Sequence, residues 1–257
     1  MIKNVTPYGD SDLSKKEQVT LMFDRIAQKY DNLNRVLSLG LDKGWRKRLI
    51  KLVREQKAVD VLDVATGTGD VAIGLSKIPN LKIDAADLST QMLAVQDKQL
   101  EKLQLKDRIK LHVADAEKLP FDTQFDAVTV AFGIRNFANL EKGLGEMYRV
   151  LRPEGSLYIL ETSKPKKFPM RQAHYIMSRI LIPSMGKLFA EDKGAYAYLG
   201  ESAAHFPDGQ EMCNKLREIG FSKVTHRPLT GGVVTLYNAQ KWTYDIHFLF
   251  LLFPFVR

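Results

Sequence analysis

The stretch Val59-Asp-Val-Leu-Asp-Val-Ala-Thr-Gly-Thr-Gly-Asp70 reads as a strand running into a glycine turn, with Asp63 at the mouth of that turn. A glycine turn after a parallel strand ordinarily cradles a pyrophosphate on the N-terminus of the next helix. A fixed carboxylate beside the turn repels phosphates but suits a cation, such as the ammonium and sulfonium of S-adenosylmethionine. Gly67 and Gly69 let the backbone turn tightly and approach a ligand without Cβ clashes. Thr66 can set its hydroxyl and amide against a methionine carboxylate. The turn alone leaves alternatives open. Gly67-x-Gly69-x-x-Ala72 also satisfies a relaxed dinucleotide fingerprint, Asp87 would grip a ribose in either case, and a plain strand-to-helix turn uses glycines too. Asp115-Ala116, in Ala114-Asp-Ala-Glu-Lys-Leu-Pro-Phe121, shifts the balance. An acid there accepts the exocyclic amine of adenine, while the next amide faces the ring. Asp63, Asp87 and Asp115 then end three consecutive strands on one sheet edge, where open α/β sheets bind ligands. The trio favours S-adenosylmethionine over NAD.

The frame that must position these residues is a βα alternation. Strands are predicted over Val59–Val64, Lys82–Asp87, Ile109–Ala114, Phe125–Phe132 and Gly155–Glu161, with helices near Asp70–Lys77, Thr90–Leu103 and Leu140–Leu151. The fourth strand is nearly all apolar, as a strand covered on both faces should be. This rhythm predicts a doubly wound parallel sheet. A helix over Gly209–Ile219, then Lys223–Pro228 and Val233–Gln240 turned by Gly231-Gly232, add a closing antiparallel pair. Seven strands in this pattern are the α/β, Rossmann-like fold of class I S-adenosylmethionine-dependent methyltransferases.

Three N-terminal helices fill residues 15–55. Val19, Phe23, Ile26, Ala27 and Tyr30 share one face of the first. Asp31-Asn-Leu-Asn34 interrupts it, Gly40 ends the second, and a basic third covers about Lys43–Glu55 with Trp45, Leu49, Leu52 and Val53 inward. Residues 164–208 read as a helical cap rich in aromatic and Met side chains (Met170, Tyr175, Met177, Met185, Phe189, Tyr196, Tyr198, Phe206). One domain over residues 1–241 is expected, with 56–163 as the cofactor-binding core and 209–241 as the last helix and strand pair. Residues 242–257 form an intensely apolar tail, too short to span a bilayer, which fits a membrane-dipping segment or a non-native extension equally.

At 257 residues and 45% hydrophobic, the chain can bury one sizeable core. The single Cys213 excludes an intramolecular disulfide and a cysteine-rich zinc site, and no metal is expected. No basic-then-apolar leader opens the chain, so a cytoplasmic location is expected. The formal charge of +8 draws the protein to anionic surfaces, whether nucleic acid, lipid headgroups or acidic metabolites, or simply keeps it soluble.

Two long segments carry a resemblance. Tyr30-Asp-Asn-Leu-Asn-Arg-Val-Leu-Ser38 followed by Trp45, and Arg149-Val-Leu-Arg-Pro-Glu-Gly-Ser-Leu-Tyr-Ile-Leu-Glu-Thr-Ser163, resemble the two signatures of the ubiquinone/menaquinone biosynthesis C-methyltransferase family. Phe132-Gly-Ile-Arg-Asn136 and Thr230-Gly-Gly-Val-Val234 look like that family too, so the match covers roughly residues 15–241. Departures stand at Leu33, where the family usually has Met, at Asp42 (His), at Glu154 (Gly) and at Ala131 (often Ser). The last bears on one hydroxyl contact to the cofactor, which Ser would supply and Ala131 does not. The resemblance implies cofactor contacts at Thr66, Asp87, Asp115 and Ala116. It also implies transfer of a methyl group to a ring carbon of a polyprenylated quinol. That substrate is a 2-demethylmenaquinol in the menaquinone branch, to which the overall resemblance leans, and a 2-polyprenyl-6-methoxy-1,4-benzoquinol in the ubiquinone branch.

Such a reaction needs no covalent enzyme intermediate. Loss of a ring hydroxyl proton pushes electron density onto the adjacent carbon, and alignment of the reacting atoms is worth ~7–11 kcal/mol. Arg135 is the candidate catalytic residue, stabilising the quinolate or organising a water, with a structural salt bridge as its alternative role. Tyr198, Tyr30 and His205 could hydrogen-bond the quinol or simply pack. A prenylated substrate brings the enzyme to the inner face of the cell membrane, where Arg46, Lys47, Arg48, Lys51 and Arg54, or Lys164, Lys166, Lys167 and Arg171, would meet anionic lipid. A nucleic-acid methyltransferase is disfavoured. Amino-group enzymes place Asn/Asp-Pro-Pro-Tyr/Phe where this chain has Ala131-Phe-Gly-Ile-Arg-Asn136, and Cys213 lacks the context of a cytosine-C5 nucleophile. A non-catalytic S-adenosylmethionine-binding module would share the same binding residues.

Overall fold

Seven strands form one sheet in the order β3-β2-β1-β4-β5-β7-β6. They are β1 (Asp60–Val64), β2 (Lys82–Asp87), β3 (Ile109–Val113), β4 (Phe125–Ala131), β5 (Leu151–Thr162), β6 (Phe221–Leu229) and β7 (Val234–Lys241). The first five run parallel, and β7 lies antiparallel between β5 and β6. The computed structural model describes residues 5–9, 11–176 and 193–242. Chain growth reverses between β1 and β4, which makes the carboxyl ends of β1, β2 and β4 the ligand-binding edge of the sheet.

Alternation along each strand builds a core on both faces. Leu62, Val128, Val130, Leu157 and Ile159 pack with Leu144, Met147 and Leu216 on one side. Val61, Ile83, Ala127 and Leu160 pack with Leu49, Val53 and Leu75 on the other. Each such large side chain contributes about 1.5–3 kcal/mol by leaving water. The covering helices are α1 (Lys15–Ile26), α2 (Tyr30–Leu37), α3 (Asp42–Gln56), α4 (Asp70–Leu75), α5 (Thr90–Lys102), α6 (Leu140–Val150), α7 (Met170–Ile176), α8 (Lys193–His205) and α9 (Gln210–Ile219). Their starts follow from local chemistry. Ser14 and Glu17 form a reciprocal capping box on α1, while Ser89 and Asn139 cap α5 and α6.

Several boundaries differ from expectation, three of them with a clear physical reason. Asp31-Asn-Leu-Asn34 does not interrupt a helix but lies inside α2; the break falls at residues 27–29. Asp31 is tolerated in the first turn, where an acid suits the helix dipole, and accepts a hydrogen bond from Thr68 Oγ1. Strand β5 begins at Leu151 rather than Gly155, because Leu151 pairs with Phe125 before a bulge. At that bulge Glu154 takes a left-handed φ of 64°. Phe132 lies beyond the end of β4, also left-handed at φ 60°. Of the expected cap, α7 and α8 carry Met170, Tyr175 and Tyr198, and Phe206 follows α8. Met177, Met185 and Phe189, the Tyr196 side chain and the tail beyond Trp242 lie outside the described residues.

Candidate active site

The turn after β1 is held from beneath. Register sets Asp63 beside Thr129 of β4, and the Thr129 hydroxyl donates to Asp63 Oδ1 at 2.6 Å. The Thr66 hydroxyl donates to Asp63 Oδ2 at 2.7 Å, and the Thr66 amide donates to the Ala86 carbonyl at 3.1 Å. Asp63 is 1% exposed. Burial pushes its carboxyl up to about 6, against the pull of the two hydroxyls and of the Arg46 charge. Asp87, at the end of β2, accepts from the Gly67 amide and from the Ser89 amide, both at 2.8 Å. Burial raises its carboxyl as well. Past β3, Asp115 Oδ1 accepts from the Glu117 amide at 2.8 Å, and Lys16 Nζ donates to Oδ2 at 2.6 Å. That bond raises the lysine above its usual range.

Gly67, Asp87, Asp115 and Ala116 share the wall of one cavity of about 100 Å³. Asp63 and Thr66 do not reach that wall, contrary to the expectation of direct contact. Pleating turns Asp63 toward Thr129 and under the turn, and Thr66 gives its hydroxyl to Asp63 and its amide to Ala86. The wall fits S-adenosylmethionine. Gly67 has φ 59°, and a Cβ there would meet nothing within 4 Å, so the backbone lies open to the cavity. Asp87 and Asp115 offer carboxylates to a ribose and an adenine amine, between the apolar surfaces of Val19, Phe23, Leu88 and Met92. A pyrophosphate finds poor company. The lining cation, Lys16, is already held by Asp115 and Glu117. At Ala131, where a hydroxyl is expected in related chains, the wall is a methyl group.

Helix α1 was the unforeseen partner. Lys16, Val19, Thr20 and Phe23 close the cavity from above, and Lys15 Nζ reaches the Phe137 carbonyl at 2.9 Å. Asp24, just beyond, accepts from Ser89 Oγ at 2.6 Å.

A second, larger cavity of about 470 Å³ adjoins the first. Tyr30 and Phe132 line both. Its walls are mainly apolar: Leu37, Leu39, Leu41 and Trp45 on the α2–α3 side, Met170 and Leu199 on the cap side, and Val233 and Val234 at the start of β7. The Phe132 ring is held by Trp45, centroids 6.1 Å apart, and by the Arg46 guanidinium 5.2 Å above it. Arg46 is itself paired with Asp42 at 2.6 Å. It is therefore structural rather than free for lipid.

Arg135 lines this second cavity from the 3-10 turn Ile134–Asn136. Its Nη1 donates to the Phe132 carbonyl at 2.8 Å and to Glu161 Oε1 at 2.6 Å. Desolvation pulls Arg135 down, but the charge and hydrogen bond of the fully buried Glu161, with Tyr30 and Tyr198, together hold it above the ordinary arginine range. Tyr30 is on the wall, and Tyr198 is buried nearby with its hydroxyl pushed up to about 12, mainly by desolvation. His205 is exposed and bonded to the Glu201 carbonyl, away from the cavity lining.

The sequence profile of the ubiE/COQ5 methyltransferase family matches residues 11–241. The chain belongs to the ubiE/COQ5 methyltransferase family. Within this family, the demethylmenaquinone methyltransferase of Bacteroides fragilis is 45% identical over 241 residues, 93% of this chain and 98% of that protein. The ubiquinone/menaquinone biosynthesis C-methyltransferase UbiE of Geobacter sulfurreducens is 39% identical over 230 residues, 88% and 90% of the two chains. A solved S-adenosylmethionine-dependent methyltransferase from Thermotoga maritima shares the fold at TM-score 0.61 and 16% identity, covering 87% of this chain and 99% of its own. The left-handed φ of 64° at Glu154 is a conformation suited to the glycine that the resemblance led one to expect there.

Proposed function

We propose that the protein methylates a ring carbon of demethylmenaquinol to give menaquinol, with S-adenosylmethionine as methyl donor. The observation that carries this reading is the pair of joined cavities. A small one edged by Asp87 and Asp115 meets a large apolar one across Tyr30 and Phe132. S-adenosylmethionine supplies an electrophilic methyl group, whose sulfur keeps the bonding electrons on transfer. The chain's residues do the rest. Gly67, Asp87, Asp115 and Ala116 hold the donor, the apolar cavity takes the naphthoquinol and the start of its prenyl tail, and Arg135 offers positive charge where a quinolate forms. Excluding water strengthens that interaction.

The tail must lead to a bilayer. Among the described residues, no helix is long and apolar enough to cross a membrane. Leu39 and Leu41 of the large cavity's lining are exposed, as are Val36, near them in sequence, and Phe168, 80% exposed and two residues before the lining Met170. Exposed Lys43 and Lys47, then Lys166, Lys167 and Arg171, flank these side chains. Near anionic lipid each adds about 1 kcal/mol. This patch is the docking face for the inner surface of the cell membrane. Sedimentation with vesicles should depend on anionic lipid and weaken in Leu39→Asp and Phe168→Asp; indifference to both would refute the docking face.

The function itself is tested by the purified protein with demethylmenaquinol and S-adenosylmethionine, and by a quinone extract of a deletion strain. Accumulation of demethylmenaquinone is expected. Accumulation of a demethylated benzoquinone instead would assign the ubiquinone branch, which the name of the Geobacter relative also covers.

A further inference from the structure

Three buried polar atoms, on the cavity-lining Arg135, on its ion-pair partner Glu161 and on Tyr198, have no hydrogen-bond partner among the described residues: Arg135 Nε, Glu161 Oε2 and Tyr198 Oη. They belong to one electrostatic cluster, since Tyr198 senses the charges of both Arg135 and Glu161. Unpaired buried polar atoms are costly and rare, so three together point to an occupant bearing hydroxyl groups. Asp42 is the carboxylate on the cavity lining, and Glu161 lies behind the lining residues Arg135 and Thr162. Asp42 has both oxygens engaged, Oδ1 by Ser38 Oγ at 2.8 Å and Oδ2 by Arg46 at 2.6 Å. Glu161 is different. Its Oε1 takes Arg135 Nη1 at 2.6 Å, the Thr162 amide at 2.7 Å and the Thr162 hydroxyl at 3.0 Å, while Oε2 takes nothing. Arg135 and Thr162, on either side of it, both line the cavity.

We propose that Glu161 Oε2 is the proton acceptor for the quinol hydroxyl adjacent to the methylated carbon, directly or through one water, while Arg135 holds the oxyanion and Tyr198 Oη orients it. The inference rests on the quinol reading above. An arginine cannot take this proton, because it is already protonated and stays so. The carboxylate can, and the charge balance favours it. Before transfer, Arg135 and Glu161 cancel. After it, Glu161 is neutral and Arg135 faces the new oxyanion, so the buried cluster's net charge is unchanged. The O–H bond breaks with its electron pair left on oxygen, and that density drives the new carbon–carbon bond. The ring C–H proton then leaves to solvent, and Glu161 returns its proton to the oxygen. One proton is released per turnover, and the carboxylate is restored. The other titratable groups around the pair are Tyr30 on α2, Tyr198 on α8, the Asp42–Arg46 pair on α3 and Lys164 beyond β5.

The test compares wild type, Glu161→Gln and the double variant Arg135→Gln/Glu161→Gln, which leaves no lone buried charge. Both variants should bind S-adenosylhomocysteine as wild type does, with kcat lower by about 100-fold or more and KM for demethylmenaquinol little moved. The acid limb of the wild-type pH profile should give way to a rate that rises steadily with pH. A demethylnaphthoquinol made more acidic by an electron-withdrawing ring substituent should recover much of the loss, which a merely structural role for Glu161 does not predict. A Glu161→Gln enzyme within threefold of wild type, or a deficit blind to substrate acidity, overturns the proposal. If neither variant folds, the wild-type profile decides, and a kcat that does not fall in acid overturns it. Wild-type protein that turns over no demethylmenaquinol sinks both this inference and the function it rests on, whereas normal wild-type turnover with an unimpaired variant sinks this inference alone.

Discussion

Asp63→Asn should make the protein more stable and a poorer binder of S-adenosylmethionine. The carboxyl is 1% exposed and pushed from 3.8 to about 6 by burial. That gap of roughly two units means that holding the charge at pH 8 costs the fold about 3 kcal/mol. The amide keeps the shape and accepts from one threonine hydroxyl, but its N–H2 must find an acceptor in the other, an adjustment of about 1 kcal/mol. A net gain of about 2 kcal/mol remains, or a rise in Tm of roughly 4–8 °C for a domain of this size. The sign follows from linkage. A carboxyl whose folded value is raised favours folding at low pH and loses that advantage as pH climbs through about 6. The variant is therefore slightly less stable than wild type around pH 4, overtakes it as pH rises toward 6, and holds a constant advantage above that interval. Unfolding curves at several pH values and titration calorimetry check both halves. Affinity for S-adenosylmethionine should fall about tenfold, equivalent to about 1.4 kcal/mol. S-adenosylhomocysteine, without the sulfonium charge, should lose less. A variant less stable than wild type at pH 8, or equal losses for the two ligands, would refute the idea that a buried negative charge beneath the turn serves a cation.

Other substitutions probe the same frame. Gly69→Ala meets a φ of 93° and sets a Cβ 2.6 Å from Gln96 Cδ, so chemical denaturation should reveal a loss of about 2–4 kcal/mol together with weakened cofactor binding. Glu154→Gly relieves an exposed left-handed residue; a gain of about 1 kcal/mol is expected in melting experiments, with turnover unchanged. Lys16→Met removes the ion pair that ties α1 over the cavity. Because that pair is partly exposed, stability should move by less than about 1 kcal/mol, while stopped-flow release of S-adenosylhomocysteine quickens.

Much of this fold was legible because its strands are buried on both faces. Runs such as Phe125–Ala131 announce themselves by composition, and their carboxyl ends locate Asp87 and Asp115 without coordinates. The contribution of α1 was not legible, since a helical stripe does not say what it will lie against. A local signal existed. Lys15 and Lys16 open a helix whose dipole disfavours cations at that end, and the cost is offset by the Phe137 carbonyl and by Asp115 and Glu117. The side-chain direction of Asp63 also escaped the sequence, because which face of β1 it joins depends on the neighbour across the ladder. Arg135 and Glu161 each sat in a family-like segment, yet only the end of β4 folding back beside β5 makes them a pair.

Phe132 is a bulky residue in a backbone conformation that usually belongs to glycine or asparagine. That posture costs about 1 kcal/mol or more, and Trp45 and Arg46 hold it in place. In the proposed reaction, this ring and the neighbouring Tyr30, which line both cavities, would form a partition between the two reactants. A smaller side chain there would relax the chain locally and merge the rooms, trading a sorted pair of guests for a single unsorted space.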